Sequence, residues 1–217
     1  MESFNKVAKP IYSTNSGNGE AVVKTKRSKD NAKIPLRRVN ELHSSVVVSS
    51  PTGSGKTVLF ELAIVRLIET CSNQESLNLG GIKIVYLAPV KALCSERYSD
   101  WTSKFRSLGI RTAEVTGDST DLVDLKTIEN LDLILTTPEK WDSMTRRWKD
   151  HAGLVQLIKL FLIDEVHLLN EERRGPTLEA VVSRMKAVEA TLKQSGNESQ
   201  VRFVAVSATI PNISDVA

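Results

Sequence analysis

Residues 46–60, VVVSSPTGSGKTVLF, restrict the fold more than any other stretch of the chain. Val46, Val47 and Val48 favour an extended strand. The serine, proline and glycine run after them is turn chemistry, and a helix begins beyond it. Gly53 and Gly55 are expected to bring backbone N–H groups up to an anion where a Cβ would collide. Lys56 adds a point charge for β- and γ-phosphates, Thr57 a hydroxyl for Mg²⁺, and the helix its positive end. Pro51, Thr52, Gly53, Ser54, Gly55, Lys56 and Thr57 are therefore the candidate nucleotide-binding residues. Ser50 stands where the first glycine of G-x-x-x-x-G-K-[ST] belongs, so for this stretch alone a plain glycine-rich turn stays open as the alternative.

At 217 residues the chain suits one sizeable α/β domain. Residues 1–50 hold nine Lys/Arg against four Asp/Glu, and the remainder holds 20 against 22, so the basic excess belongs to the N-terminal segment. Residues 1–40 show no sustained periodicity and are expected to be a basic, disordered segment. Seven basic residues fall between Lys24 and Arg38. They read either as a nuclear-import or nucleic-acid-contacting segment or as a solvated tail. Cys71 and Cys94 lack metal-ligand spacing and are expected to be reduced thiols. There is no run of roughly 18 apolar residues and no secretion-signal core, so a soluble intracellular protein without membrane contact is expected.

From residue 41 onward short apolar runs alternate with helical patterns. Strands are predicted at 46–48, 82–87, 111–115, 131–136, 160–163 and 202–207. The clearest helix is predicted at 177–193, where Leu178, Val181, Val182, Met185, Val188 and Leu192 share one face. That stripe reads as core packing. Alternation of this kind predicts a mostly parallel sheet with helices on both faces and ligands at the carboxyl ends of the strands.

Phe161, Leu162 and Ile163 deliver Asp164-Glu165-Val166-His167 to such an end. Asp164 can hold Mg²⁺ opposite Thr57, and Glu165 can orient or deprotonate a water for in-line attack. Ser207-Ala208-Thr209 follows another apolar run, 202–206. Alone it is a polar turn, but its position after GSGKT and DEVH gives it meaning.

With SSPTGSGKT, DEVH and SAT in that order, the chain resembles the first RecA-like lobe of superfamily 2 helicases, in the P-loop NTPase class. LAPVKALCSER is similar to motif Ia, and TGD with TTPEKWD to the Ib region. The resemblance implies that Pro89, Lys91, Thr137, Pro138 and Lys140 hold a sugar-phosphate backbone, Lys91 and Lys140 by neutralising phosphate. It also implies ATP as the nucleotide, Lys56 and Glu165 in catalysis, and coupling through His167, Ser207 and Thr209. For His167 a satisfied core histidine is the alternative. PTGSGKTVLFELAI, VKALCSERYSDW, TTPEKWDSMTRRW and RGPTLEAVVSRM resemble the Ski-type group, and within it the meiotic crossover DNA helicases of the MER/HFM type. That implies a nuclear, ATP-dependent 3′–5′ DNA helicase of meiotic recombination, acting on single-stranded or branched DNA.

The sequence departs from that pattern in two places. No Gln precedes Lys56 where the family has an adenine-contacting segment, which leaves adenine specificity open. The chain also stops eight residues after Thr209, so residues 41–217 are expected to be the first lobe without the second lobe or its arginine finger. Arg173 to Gly175 follows DEVH directly and does not fit that finger. On this reading the chain alone binds ATP without turning it over. A truncated non-catalytic ATP- or nucleic-acid-binding module and an RNA helicase lobe stay open as alternatives.

Overall fold

The computed structural model describes residues 11–14, 21–24, 45–51, 53–71, 81–117, 128–172, 174–194 and 200–208. Among these, eight strands form one sheet: β1 (Ile11–Thr14), β2 (Ala21–Lys24), β3 (Val46–Ser49), β4 (Lys83–Leu87), β5 (Thr112–Val115), β6 (Leu133–Thr136), β7 (Ile158–Ile163) and β8 (Arg202–Ser207). Their spatial order is β1-β2-β3-β8-β7-β4-β6-β5. Every ladder is parallel except β1 with β2. The six strands from β3 to β8 match the predicted ones to within two residues at each end. β1 and β2 lie inside the segment expected to be disordered; four-residue runs such as IYST and AVVK are too short to show a periodicity.

The helices are α1 (Lys56–Cys71), α2 (Lys91–Phe105), α3 (Pro138–Thr145), α4 (Ala152–Val155) and α5 (Gly175–Gln194). Successive residues of a strand point to opposite faces, and this chain fills both sides with apolar groups. Val46, Val48, Ile84, Tyr86, Leu162 and Val204 pack with Phe60 and Ile64 of α1 and Trp101 of α2. Val47, Val85, Phe161, Ile163 and Phe203 pack against Trp141 of α3 and Leu178, Val181, Met185 and Val188 of α5. The helical stripe read from sequence is thus the face that covers the second side. Parallel strands covered on both faces need such unbroken apolar runs.

Charged groups fasten the far half of the sheet. Lys83 is 1% exposed, and its Nζ donates to the carbonyls of Ile128, Glu129 and Leu131 at 2.8, 2.9 and 2.8 Å. All three ammonium protons are used, which makes the buried lysine tolerable. Asp132 accepts from the backbone N–H, Nε and a terminal nitrogen of Arg111 at 2.8, 2.9 and 2.9 Å. Asp142 joins α3 to α5, accepting from Arg184 at 2.7 Å and from Arg146 at 2.9 and 2.7 Å.

Burial alone would raise the Asp142 carboxyl, but the bonds from Arg146 and Arg184 outweigh it and hold it below the ordinary carboxylate range. A carboxyl depressed on folding contributes stability above its unfolded value, near 3.9, and loses it as pH falls through the lower folded value. Asp142→Asn should therefore melt below the parent chain at neutral pH. The two thermal midpoints should converge as the pH is taken below about 4, where the parent also loses its charge; calorimetry across that range reads both effects.

Candidate functional site

Register places the candidate residues along one edge. Ser49 of β3 stands opposite Ser207 of β8, and Ile163 of β7 opposite both Ala205 and Leu87. Leu87 is opposite Thr136, and Thr136 opposite Val115. The loops that follow these strand ends carry SPTGSGK, SA, DEVH, APVK, TP and TG, so all of them open from the carboxyl edge. Two further bonds fasten the first pair of strands: Ser50 N–H donates to the Ser207 carbonyl at 3.1 Å, and Ser49 Oγ to the Ala208 carbonyl at 3.0 Å.

Gly53 and Gly55 have φ of +78° and +83°. A Cβ on either would meet no protein atom within 4 Å, so the protein itself leaves that side of the loop open. The need for glycine here is the left-handed backbone itself. The loop leads into the first turn of the 16-residue α1, whose N–H groups point along the helix axis toward it. Lys56 Nζ donates to the Ser50 carbonyl at 3.2 Å, across the base of the loop. Ser54 Oγ is buried without a hydrogen-bond partner among the described residues. Pro51 and Thr57 are half-buried, while Thr52 lies outside the described residues.

Asp164 follows β7, and its backbone N–H extends the sheet to the Leu87 carbonyl at 2.9 Å. Its Oδ2 accepts from the Tyr86 hydroxyl at 2.7 Å and its Oδ1 from the Glu165 N–H at 2.9 Å. Burial pushes the carboxyl above the ordinary range and the Glu165 charge adds to this; Tyr86 and the Lys56 ammonium act the other way. Burial and the adjacent carboxylate push the Tyr86 phenol far up, so it remains a proton donor. Glu165 has φ 52° and ψ 47°, and among the described residues it is the one non-glycine at positive φ. Such a conformation costs roughly 1–3 kcal/mol and clusters at functional sites.

Glu165 Oε2 is shielded from solvent and takes no formed hydrogen bond among the described residues. It lies 3.1 Å from His167 Nδ1, a contact of charge proximity. The same Nδ1 is 3.3 Å from Ser207 Oγ. Protonated, this nitrogen donates toward Glu165; bare, it accepts from Ser207. His167 and Ser207 are thus brought together as expected, and Thr209 lies outside the described residues.

At the other end of the edge Lys91 is exposed, and its Nζ would lie 3.7 Å from a Cβ at Gly117. Thr137 caps α3, its Oγ1 accepting from the Lys140 N–H at 3.4 Å, with Pro138 at the first helical position. In contrast to the exposed Lys91, Lys140 is only 7% exposed. It precedes the buried Met144 by four residues and shares its packed face.

The sequence reading missed Tyr86. The available signal was a phenol within the apolar run IVYL of β4, since a buried tyrosine hydroxyl needs a partner. It also missed Gly175, where α5 begins. A Cβ there would fall 2.0 Å from the carbonyl oxygen of Leu169, in the turn that follows DEVH. Gly175→Ala should therefore push Val166–Asn170 away from α5 and β8 and cost about 1–3 kcal/mol, read by urea unfolding.

Residues 34–216 match the family described as DEAD/DEAH box helicase. The chain is 57% identical over 174 residues to the Homo sapiens protein named probable ATP-dependent DNA helicase HFM1, covering 79% of this chain and 12% of that protein. It is 45% identical over 179 residues to the Saccharomyces cerevisiae ATP-dependent DNA helicase MER3, covering 82% of this chain and 14% of that one. The chain thus spans a small fraction of these relatives. The crystal structure of the helicase MrfA bound to DNA and AMPPNP superposes with a TM-score of 0.65 at 23% identity, over 82% of this chain and 23% of that one. Mycobacterium smegmatis helicase Lhr bound to single-stranded DNA and AMP-PNP gives 0.64 at 21%, over 86% and 24%. At these identities the likeness shows a shared fold.

Proposed function

The chain belongs to the DEAD/DEAH box helicase family, and on that premise we propose that it is the ATP-binding first lobe of an ATP-dependent DNA helicase of meiotic recombination, working in the nucleus. The observation that carries the reading is the placement, at one sheet edge, of a glycine loop on a helix start and of an acidic pair that follows β7, one strand removed from β3. The fit to a nucleotide and its cation rests on this chemistry. Two buried polar atoms without a formed hydrogen bond among the described residues, Ser54 Oγ and Glu165 Oε2, belong to that loop and that pair, and His167 Nδ1 lies 3.1 Å from the second. DNA is favoured over RNA by the names of the relatives.

Each residue then has a defined task. Loop N–H groups from residue 53 onward and the α1 terminus bind phosphate oxygens. Lys56 exchanges the Ser50 carbonyl for a phosphate. Thr57 and Asp164 hold Mg²⁺, which when bound offsets the phosphate charge. Glu165 Oε2, lacking a formed hydrogen bond, accepts a proton from water. His167 Nδ1, between Glu165 and Ser207, senses the state of that carboxylate and passes it to the strand that follows α5. Lys91, exposed over the Gly117 turn, neutralises a backbone phosphate of the nucleic acid.

Isothermal titration with ATP·Mg²⁺ tests the first part. Lys56→Ala should weaken binding roughly tenfold or more, as expected for loss of a charge-assisted bond. Equal heats for the two proteins would refute the assignment. For the second part, single-strand binding should be insensitive to sequence and steeply dependent on salt. Lys91→Ala should flatten the plot of log affinity against log salt by about 0.7, measured by fluorescence anisotropy. An unchanged slope would remove Lys91 from the interface.

A further inference from the structure

We infer that Tyr86 is a positioning residue of the nucleotide site, its hydroxyl fixing the Asp164 carboxylate in the orientation that receives the nucleotide's cation. This rests on the proposed reading of Asp164 as the cation-facing carboxylate. Tyr86 is 0% exposed, and the volume it fills could be occupied by phenylalanine. Its hydroxyl is spent entirely on Asp164 Oδ2, at 2.7 Å. With Glu165 N–H on Oδ1 and the Asp164 N–H on the Leu87 carbonyl, the carboxylate is held at both oxygens and at its backbone. Each oxygen keeps a second acceptor direction for a ligand.

The donor is itself fixed. The Tyr86 ring meets Phe60 edge-on at 5.6 Å and Trp101 edge-on at 5.0 Å. Phe60 lies in α1 one turn beyond Lys56, and Trp101 lies in α2, the helix that begins at Lys91. Trp101 Nε1 and Lys104 Nζ both donate to Glu61 Oε1, at 3.0 and 2.8 Å, tying α2 to α1. The phenol therefore cannot swing without displacing both helices. Partners of this kind, one shell out from a metal, set the orientation of the ligating group.

The test is the Mg²⁺ requirement for binding a fluorescent ATP analogue, measured on the parent chain, Tyr86→Phe and Asp164→Asn. Tyr86→Phe should raise the Mg²⁺ concentration at half-saturation roughly tenfold while leaving the weaker binding in EDTA unchanged. A parental Mg²⁺ requirement in Tyr86→Phe, beside a raised one in Asp164→Asn, overturns the role of Tyr86 alone. A parental requirement in Asp164→Asn overturns the reading of Asp164 and the inference with it. Should Tyr86→Phe fail to fold, 3-fluorotyrosine in the parent chain gives a second readout. The chain has three tyrosines, so Tyr12→Phe and Tyr98→Phe assign the remaining ¹⁹F line. That line should move with analogue plus Mg²⁺ and stay still with analogue plus EDTA; a line indifferent to Mg²⁺ overturns the proposal.

Discussion

In-register parallel pairing of β3, β8 and β7 is the constraint on which the rest depends. Ser49 stands against Ser207, and Ile163 against Ala205, so β3 and β8 finish at one level and β7 two residues short of it, where Asp164 and Glu165 follow. Slipping any of these strands by one residue would turn every side chain to the opposite face. Val46 and Val48 would then leave the α1 side for the α5 side, and Asp164 would leave Tyr86. The apolar packing on the two faces thus fixes the register, and the register brings the loop of residues 50–55 to Asp164 and Glu165.

Polar groups at the edge are held by bonds that leave reactive atoms unsatisfied. Asp164 is fastened at both oxygens, whereas Glu165 next to it is strained and, among the described residues, takes no formed hydrogen bond at Oε2, which lies 3.1 Å from His167 Nδ1. Adjacent acids with such different surroundings suit different tasks, one holding and one accepting a proton. The buried charges elsewhere follow another rule. Lys83 and Asp142 are saturated with partners, and their work is to keep β6 and α3 in place.

Much of this architecture could be read from residue pattern alone. Strands buried on both faces are apolar throughout, and the stripe from Leu178 to Leu192 has helical spacing, so the α/β class and the covering helix were visible. Strand order was not, because the placement of β8 between β3 and β7 is a property of packing at long range. The depth of Lys140 was hidden for a related reason: burial of a lysine in a polar motif depends on the helix phase, which the Thr137 cap with Pro138 sets. The Asp142–Arg184 clamp and the Tyr86–Asp164 bond join residues far apart in the chain, so a phenol in KIVYL signalled the need for a partner without saying which. The two loop glycines were identified as room for an anion, and the structure adds a backbone angle that favours glycine.

The central claim is that the loop of residues 50–55, Lys56, Thr57 and Asp164 form one phosphate and cation site. Crystallography of the chain with a non-hydrolysable ATP analogue and Mn²⁺, using the anomalous signal of the metal, tests it most directly. The account predicts a peak between Thr57 and Asp164, phosphate oxygens on the N–H groups of the loop, and Lys56 moved from the Ser50 carbonyl onto a phosphate. A bound analogue whose phosphates lie outside the loop, with Lys56 still on Ser50 and the metal away from Asp164, would contradict it.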